Sequence, residues 1–522
     1  MVEDEDEEEE EDVGMNLLPW TIYISFLGAG LVMLLPREKK NLIRWVALLT
    51  GIVGEIFALI GFFAYRALDT GGLVTVGTRF EWIPQIGSSY HLAVDGINLP
   101  LVVLNGIICI TGLLYSWNIE NRVKEFHAFF LGLIGGVYGV FMAVDAFLLF
   151  VFYEIAIIPK YFVIAIWGST RKEYGAMKLV LYSFVGSALV LIGLLAIYFQ
   201  AGIGSFDLMA LAGANLSPEF QRWCFPMVFV GFAVLAGMWP FHTWAPTGHV
   251  AAPTAASMLL AGVVMKLGAY GCLRVAMLVM PQGLQQTFLG ITWQWWIGTI
   301  AVIGIIYGAG VAMVQKDFKF VIGYSSVSHM GFVLLGLATL NVIGLQGAVL
   351  QMFSHGIIAG LLFAVVGRMV YDRTHTRQLE ELGGLWTTMR FTTVTFVIAG
   401  LASMGLPGFS GFIAELQVLI GTWKTFPVLA VITGIGILVT VAYTLITIHK
   451  AFFAEPKPRP PGDHAHAYPP LTWQEACASV ILMGATTLIG LYPSLLLDPI
   501  NKSVGLFVKG LGSAATTSVA GM

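Results

Sequence analysis

Long apolar segments separated by short polar loops run through almost the whole chain of 522 residues. A helix needs about 20 apolar residues to cross the hydrocarbon core of a bilayer, and it satisfies its own backbone groups there. The pattern therefore predicts an all-α membrane protein with about fourteen transmembrane helices. The predicted spans are 17–36, 43–66, 97–117, 126–144, 146–168, 178–200, 226–246, 253–280, 293–314, 320–340, 343–371, 391–421, 426–453 and 472–496.

Composition supports lipid as the solvent of this chain. Hydrophobic residues make up 57% and charged residues only 11%, whereas about 25% of an average soluble domain is charged. Ten of the first twelve residues are acidic, which predicts a disordered acidic arm over residues 1–15. No sequence feature indicates nucleic-acid binding, and the four scattered cysteines form no metal or disulfide pattern.

Basic residues are distributed unevenly between the loops. Alternate loops, counted from the one after the first span, hold 18 of the 27 lysines and arginines, and the loops on the opposite side hold seven. Because basic loops stay on the cytoplasmic side, an even number of spans predicts both termini on the periplasmic side of a bacterial inner membrane.

Candidate proton-carrying side chains occur inside five of the predicted spans. They are Glu154 and Lys160 in span 5, Lys266 in span 8, His329 in span 10, His355 in span 11 and Glu415 in span 12. A charge at mid-bilayer costs about 2.5–3.5 kcal/mol or more. The presence of each of these side chains therefore requires an explanation. A single buried lysine or glutamate can tie helices together, and a single histidine can be a core residue. Acids, lysines and histidines spread over five spans instead predict a proton path.

Helix-breaking residues interrupt two spans that lie five apart. Span 7 contains Pro240 and Pro246, and span 12 contains Pro407 and Gly408. Such breaks survive in lipid only where they face protein or a wet cavity, and matching breaks predict an internal repeat. Because five is odd, the two repeats would be inverted. Ordinary proline kinks are the alternative.

The predicted organisation follows from these spans and breaks. It comprises the acidic arm (1–15), an N-terminal unit with spans 1–3 (16–125), a first repeat with spans 4–8 (126–280), a second repeat with spans 9–13 (293–455), and a linker with span 14 and a C-terminal tail (456–522).

Four motifs within residues 80–455 resemble one family. They are Trp244-Ala245-Pro246 with His249, Val314–Lys319 leading into Tyr324–Gly331, Arg373–Arg377, and Leu406–Phe409. Together they look like the antiporter-like subunits of complex I and of the multi-subunit cation/proton antiporters. The resemblance implies two inverted five-helix repeats and proton translocation by a non-catalytic subunit of NADH-quinone oxidoreductase. It places flavin, iron–sulfur clusters and quinone in partner subunits, with no cofactor in this chain. It also implies contact with lipid and with other membrane-arm subunits, including neighbouring antiporter-like subunits.

Details of the motifs resemble the chain M branch of this family. Glu415 stands where most relatives carry lysine, and Asp95-Gly96-Ile97 begins span 3. By this resemblance Glu154 is the acid of span 5, Lys266 is the lysine of span 8, and Glu415 is the exit-side acid. His329 and His355 are then the histidines that link the two half-channels.

One departure from the family concerns its usual lysine in span 7, because Leu235 occupies that position here and Thr247 replaces an acid after the Trp-x-Pro motif. Our hypothesis is that Lys160, where relatives carry an apolar residue, replaces the missing partner of Glu154. The alternative is that Lys160 extends to the membrane boundary. Three other functions remain open: a subunit of a sodium/proton antiporter, the same module in a hydrogenase or carbon-uptake complex, and a spacer that has lost translocation.

Overall fold

The computed structural model describes residues 14–456 and 468–519. Most of the predicted acidic arm and part of the predicted linker lie outside these residues. The helices are α1 (Pro19–Leu34), α2 (Lys40–Ala67), α3 (Leu99–Tyr115), α4 (Val123–Met142), α5 (Ala146–Trp167), α6 (Lys172–Ala201), α7 (Leu208–Ala212), α8 (Pro218–Ala236), α9 (Trp244–Ala251), α10 (Thr254–Met277), α11 (Trp293–Val314), α12 (Phe318–Ala338), α13 (Val342–Thr374), α14 (Leu385–Thr388), α15 (Arg390–Ser403), α16 (Ser410–Thr425), α17 (Pro427–Phe453), α18 (Trp473–Leu491) and α19 (Ser494–Val519).

Each predicted span coincides with one helix or, for spans 7 and 12, with a pair of helices. In the part of the chain that the structure describes, 11 helices are long and apolar enough to cross a membrane, and α3 and α15 are shorter apolar helices. The all-α membrane fold is therefore confirmed. The figure of fourteen crossings stays a prediction.

The first break separates α8 from α9, and a glycine rather than a proline ends α8. Gly237 adopts a left-handed φ of +81°, which costs glycine little because it has no Cβ. The Gly237 N–H donates to the carbonyl of Val234 at 3.1 Å, and the next N–H donates to Ala233 at 3.0 Å. This pair of bonds is a Schellman motif. Pro240 lies in the gap that follows, and Pro246 lies in the first turn of α9, where a missing N–H costs little.

The second break separates α15 from α16 with the same motif. Gly405 has a φ of +69°, and its N–H donates to the carbonyl of Ala402 at 3.3 Å. The N–H of Leu406 donates to the carbonyl of Leu401 at 3.1 Å. Pro407 and Gly408 lie between the two helices. Both breaks therefore occur where the sequence predicts them, with the same local geometry.

Two helices form the buried axis of the molecule. In α10 and α13 the most apolar stretch is 100% buried, whereas in the outer helices α1, α6 and α17 it is only 39% buried. α13 packs against α10, α12, α15 and α16, and so joins the two predicted repeats. Both axial helices contain π-helical turns, Leu260–Val264 in α10 and Val365–Tyr371 in α13. Such turns frequently mark functional sites in helices.

Three two-stranded antiparallel ribbons form the loops at the predicted periplasmic side. They pair β1 (Val74–Thr75) with β4 (Ala93–Val94), β2 (Phe80–Ile83) with β3 (Ser88–Tyr90), and β5 (Thr287–Phe288) with β6 (Ile291–Thr292).

Two aspartates attach these loops to the helices. Asp145 caps α5 and accepts bonds from the Ser88 hydroxyl at 3.1 Å and the Ser89 N–H at 2.9 Å. Asp207 caps α7, and its hydrogen bond with His91 holds the carboxyl pKa below the ordinary value of 3.8. The predicted periplasmic end of α5 is therefore fixed by charged and capping contacts.

Candidate functional site

Lys266 and His355 meet at the centre of the buried axis. Lys266 Nζ lies 2.8 Å from His355 Nδ1, and it also donates to the carbonyl of Ala261 in the π-helical turn of α10. Both side chains are almost completely buried, at 0% and 3% exposed. If the ammonium donates, His355 Nδ1 accepts, and the ring proton is on Nε2. The contact thus joins a base of the first predicted repeat to a base of the second.

His329 and Glu415 form a second buried pair, near the break between α15 and α16. His329 Nδ1 lies 3.0 Å from Glu415 Oε1, and His329 Nε2 lies 3.1 Å from the Ser403 hydroxyl. The amide of Gln351 donates to Glu415 Oε1 at 3.4 Å. Gly405 has no side chain, and this leaves room for Glu415. A Cβ atom added at position 405 would lie 2.9 Å from Glu415 Oε2. The acid therefore lies directly against the break.

The two pairs are neighbours. The ring centroids of His355 and His329 are 5.5 Å apart. A small cavity between α12, α13, α15 and α16 is lined by both histidines and by Gln351, Ser403 and Glu415. One water molecule there would complete a chain of hydrogen bonds from Lys266 to Glu415. The structure thus brings four of the six predicted path residues into one sequence of contacts.

Glu154 and Lys160 are not joined to this sequence or to each other. Lys160 Nζ and Glu154 Oε1 are buried without a hydrogen-bond partner among the described residues. Lys160 is 2% exposed, so it does not extend to a surface of the chain. Its side chain instead lines an apolar cavity between α4, α5 and α10, together with Phe130, Leu133, Val163, Ile164, Ala256, Leu259 and Leu260. One of its lining residues, Leu260, is the first residue of the π-helical turn that precedes Lys266.

Sequence reasoning assigned Lys319 to a basic loop, but the structure buries it. Lys319 belongs to the first turn of α12, and its ammonium donates to the carbonyl of Ala252 at 3.0 Å. Ala252 is the C-terminal cap of α9, where the helix dipole favours a cation. The Ser257 hydroxyl lies 3.5 Å from Lys319 Nζ and donates to the carbonyl of His249 at 2.8 Å.

His249 completes this group, and both of its ring nitrogens are buried without a partner among the described residues. Its position in the motif with Trp244 was the signal that could have identified it. Together, Lys319, Ser257 and His249 lead from the predicted cytoplasmic end of α12 towards the buried axis.

Leu235 occupies the place in α8 where the resemblance predicts lysine. It is 1% exposed. The backbone of Leu235 and Ala236 packs directly against Gly268 in α10, just after Lys266. The local packing is therefore apolar, and no other described ionisable group of α8 takes the position of the missing lysine.

Comparison with known proteins decides the family. The family described as "NADH:quinone oxidoreductase/Mrp antiporter, TM" matches residues 143–440. The chain belongs to this family. It is 36% identical over 517 residues to NADH-quinone oxidoreductase subunit M of Pseudomonas aeruginosa, covering 96% of this chain and 99% of that protein.

Solved structures of this family share the fold. A chain of respiratory complex I from Thermus thermophilus with bound NADH has a TM-score of 0.83 and 26% identity, covering 95% of this chain and 99% of that one. A chain of the Mrp complex from Dietzia sp. DQ12-45-1b has a TM-score of 0.82 and 18% identity, with 95% and 99% covered, and shows the fold alone. The chain is thus a multi-pass membrane subunit of the complex I type.

Proposed function

We propose that this chain moves protons across the bacterial plasma membrane as the M-type subunit of an NADH-quinone oxidoreductase. The observation that carries the proposal is the run of buried contacts from Lys266 through His355 and His329 to Glu415. Lysine, histidine and glutamate can each accept and release a proton, and their spacing allows transfer by direct bonds and one water molecule.

Redox chemistry belongs to partner subunits in this proposal. Flavin, iron–sulfur clusters and quinone would be bound there, and this chain would be non-catalytic. A change in a neighbouring subunit would act on Glu154, since α5 is only 50% buried in its most apolar stretch. The altered charge at Glu154 would change the proton affinity of Lys160 and then of Lys266. Electrostatic effects of this kind are strong in a low-dielectric interior.

Lys160 takes the role of the missing lysine of span 7. Two observations support this: the ammonium is enclosed without a partner, and its cavity reaches the turn of α10 that precedes Lys266. A water molecule or a rotamer change would have to bridge the remaining gap. The predicted repeats, residues 126–280 and 293–455, then each supply part of one path, and both termini face the periplasm.

The test uses the native complex purified from its own membranes through a tag on this chain. We expect mass spectrometry to find NADH- and quinone-linked iron–sulfur subunits with it. In proteoliposomes, Glu415→Gln should lower NADH-driven proton pumping, because the amide cannot carry a proton. Glu380→Gln is the matched control, since Glu380 is an exposed loop residue paired with Lys316.

Two results would contradict the proposal in different ways. Recovery of small membrane subunits alone, without redox subunits, would make the chain part of a secondary sodium/proton antiporter. Full pumping by the Glu415→Gln complex would make the chain a spacer that has lost translocation. The absence of lysine at position 235 is the feature that favours the spacer.

A further inference from the structure

A buried acid outside the proposed path lies in the middle of α2. Glu55 is the only charged residue between Arg44 and Arg66 in this helix. It stands eleven positions from each arginine, which corresponds to about 16 Å of helix rise on either side. The side chain is 6% exposed. Glu55 is therefore placed near the centre of the bilayer and faces the interior of the protein.

The carboxyl of Glu55 fits against a glycine of α3. Its Oε2 atom and the Tyr138 hydroxyl of α4 both lie less than 3.0 Å from the point where a Cβ of Gly106 would be. Any side chain at position 106 would fill this space. Glu55 Oε2 has no hydrogen-bond partner among the described residues, and the same holds for Asn105 Oδ1. The amide of Asn105 donates to the carbonyl of Ile134 at 3.2 Å.

Within residues 14–456 and 468–519, no cationic side chain forms an ion pair with Glu55. The two arginines of α2 pair elsewhere, Arg44 with Glu120 at 2.5 Å and Arg66 with Asp498 at 3.6 Å. The titratable groups that face Glu55 are Cys109 of α3 and Tyr138 of α4, and both are neutral in their ordinary protonation state. An ionised carboxylate in such a place is costly unless it is paired, and binding a proton removes the charge.

We propose that Glu55 is a proton-binding carboxyl, held neutral in the resting protein and separate from the path through the two repeats. α4 divides the two sites, because Tyr138 of α4 faces Glu55 whereas Phe130 and Leu133 of α4 line the cavity of Lys160. The proposal does not rest on the proposed function. A protonated carboxyl in a membrane interior reacts with a hydrophobic carbodiimide: its O–H adds across one C=N bond, and acyl transfer to nitrogen gives a stable N-acylurea without a leaving group.

The test treats the intact complex in native membranes with dicyclohexylcarbodiimide at pH 7.5 and reads the modified peptides by mass spectrometry. We expect the N-acylurea on Glu55 to be at least about tenfold more abundant than on Glu120. Glu120 is the matched control, because hydrogen bonds from Lys40 and Arg44 hold its pKa below the ordinary value and keep it ionised. Glu55→Gln should remove the first modification and leave the second at its low level.

An infrared spectrum of the purified complex makes the result independent of reagent access. We expect a carbonyl-stretching band of a neutral carboxylic acid at pH 7.5 that Glu55→Gln removes and Glu415→Gln leaves. If the spectra of the native and Glu55→Gln complexes are identical in this region, Glu55 is ionised and the proposal is wrong. Neither measurement uses pumping, so failure of the proposed function would leave this test intact.

Discussion

The two ends of the proposed path are built differently. Between Lys266 and Glu415 the polar groups form two pairs, with contacts of 2.8 Å and 3.0 Å, and the histidine rings of the two pairs have centroids 5.5 Å apart. At the other end, Lys160 and Glu154 have buried polar atoms without partners among the described residues. One water molecule between the two histidines would join the first arrangement into a chain of hydrogen bonds. The second arrangement has no hydrogen bond from which such a chain could start, so it requires a side-chain movement, further water or a neighbouring subunit.

The difference follows from where the helices lie. α10 and α13 are surrounded by other helices of the chain, whereas α5 is half exposed in its most apolar stretch. A polar group on the axis can find its partner within the chain. On α5, Lys160 is enclosed by the chain, but Glu154 is partly exposed and shares its surroundings with whatever covers that helix. In an assembly, the incomplete end is therefore the one that can respond to a neighbour.

The largest effect should come from breaking the contiguous end at Lys266. Lys266→Met removes the proposed proton carrier that joins the two predicted repeats, and loss of such a group slows proton transfer by about 10²-fold or more. We expect NADH-driven acidification of proteoliposomes through this subunit to fall accordingly. Lys316→Met is the control, because Lys316 is exposed in a loop. Unchanged pumping by Lys266→Met would exclude this contact from the path.

A smaller effect is expected at the incomplete end. Lys160→Met replaces an unpartnered ammonium in an apolar cavity with an apolar side chain of similar length. We expect the protein to become no less stable, and pumping to fall by about tenfold. Measuring thermal stability and pumping on the same preparation separates the two effects. Full pumping together with raised stability would mean that Lys160 carries no proton. Nothing would then replace the lysine of span 7 that is absent at Leu235.

The helical pattern and the breaks could be predicted from sequence because they depend on local properties. Apolar length determines a span, and a glycine followed by proline within two or three residues ends a helix whatever surrounds it. The contacts of the site could not be predicted in this way. The contact between Lys266 and His355 depends on a π-helical turn in α10 and on the packing of α10 against α13. The two residues are 89 positions apart in the chain.

Two buried residues were missed for a related reason. Lys319 lies two positions after Asp317 in a polar motif and looks like a loop residue, but α12 begins at Phe318, one position before it. Glu55 stands alone in an apolar segment and has no motif around it. Its isolation was itself the signal, because a single acid in the middle of a predicted span requires an explanation as much as the residues of the path do.

The two breaks offer a matched pair of variants for the comparison. Gly237→Ala and Gly405→Ala each force alanine into a left-handed conformation, at φ of +81° and +69°, and each should destabilise the protein by about 1–2 kcal/mol. The added Cβ meets only the end of the Met265 side chain at position 237, but it meets Glu415 Oε2 at position 405. Only Gly405→Ala should shift the pH dependence of pumping, measured in proteoliposomes. If both variants shift the pH dependence of pumping equally, the contact between Gly405 and Glu415 does not set that pH dependence.

The smallest effect concerns the loop that holds the predicted periplasmic end of α5. Asp207 lies 3.1 Å from Arg79 and 3.2 Å from His91, and its hydrogen bond with His91 lowers the carboxyl pKa below 3.8. A carboxyl with a lowered pKa stabilises the folded state above its ordinary pKa, and this contribution is lost as the pH falls through the folded value. Asp207→Asn keeps a side-chain oxygen for the cap of α7 but removes the charge.

At pH 7 we therefore expect Asp207→Asn to destabilise the protein by about 1 kcal/mol, read as a lower melting temperature in detergent. Asp498→Asn is the control, because Asp498 is exposed and its contact with Arg66 is 3.6 Å long, so that a change within about 0.5 kcal/mol is expected. The gap between the native protein and Asp207→Asn should close as the pH falls below 3.8. A gap that persists at low pH would mean that the charge of Asp207 does not cause the difference in stability, because the carboxyl is protonated there in both states.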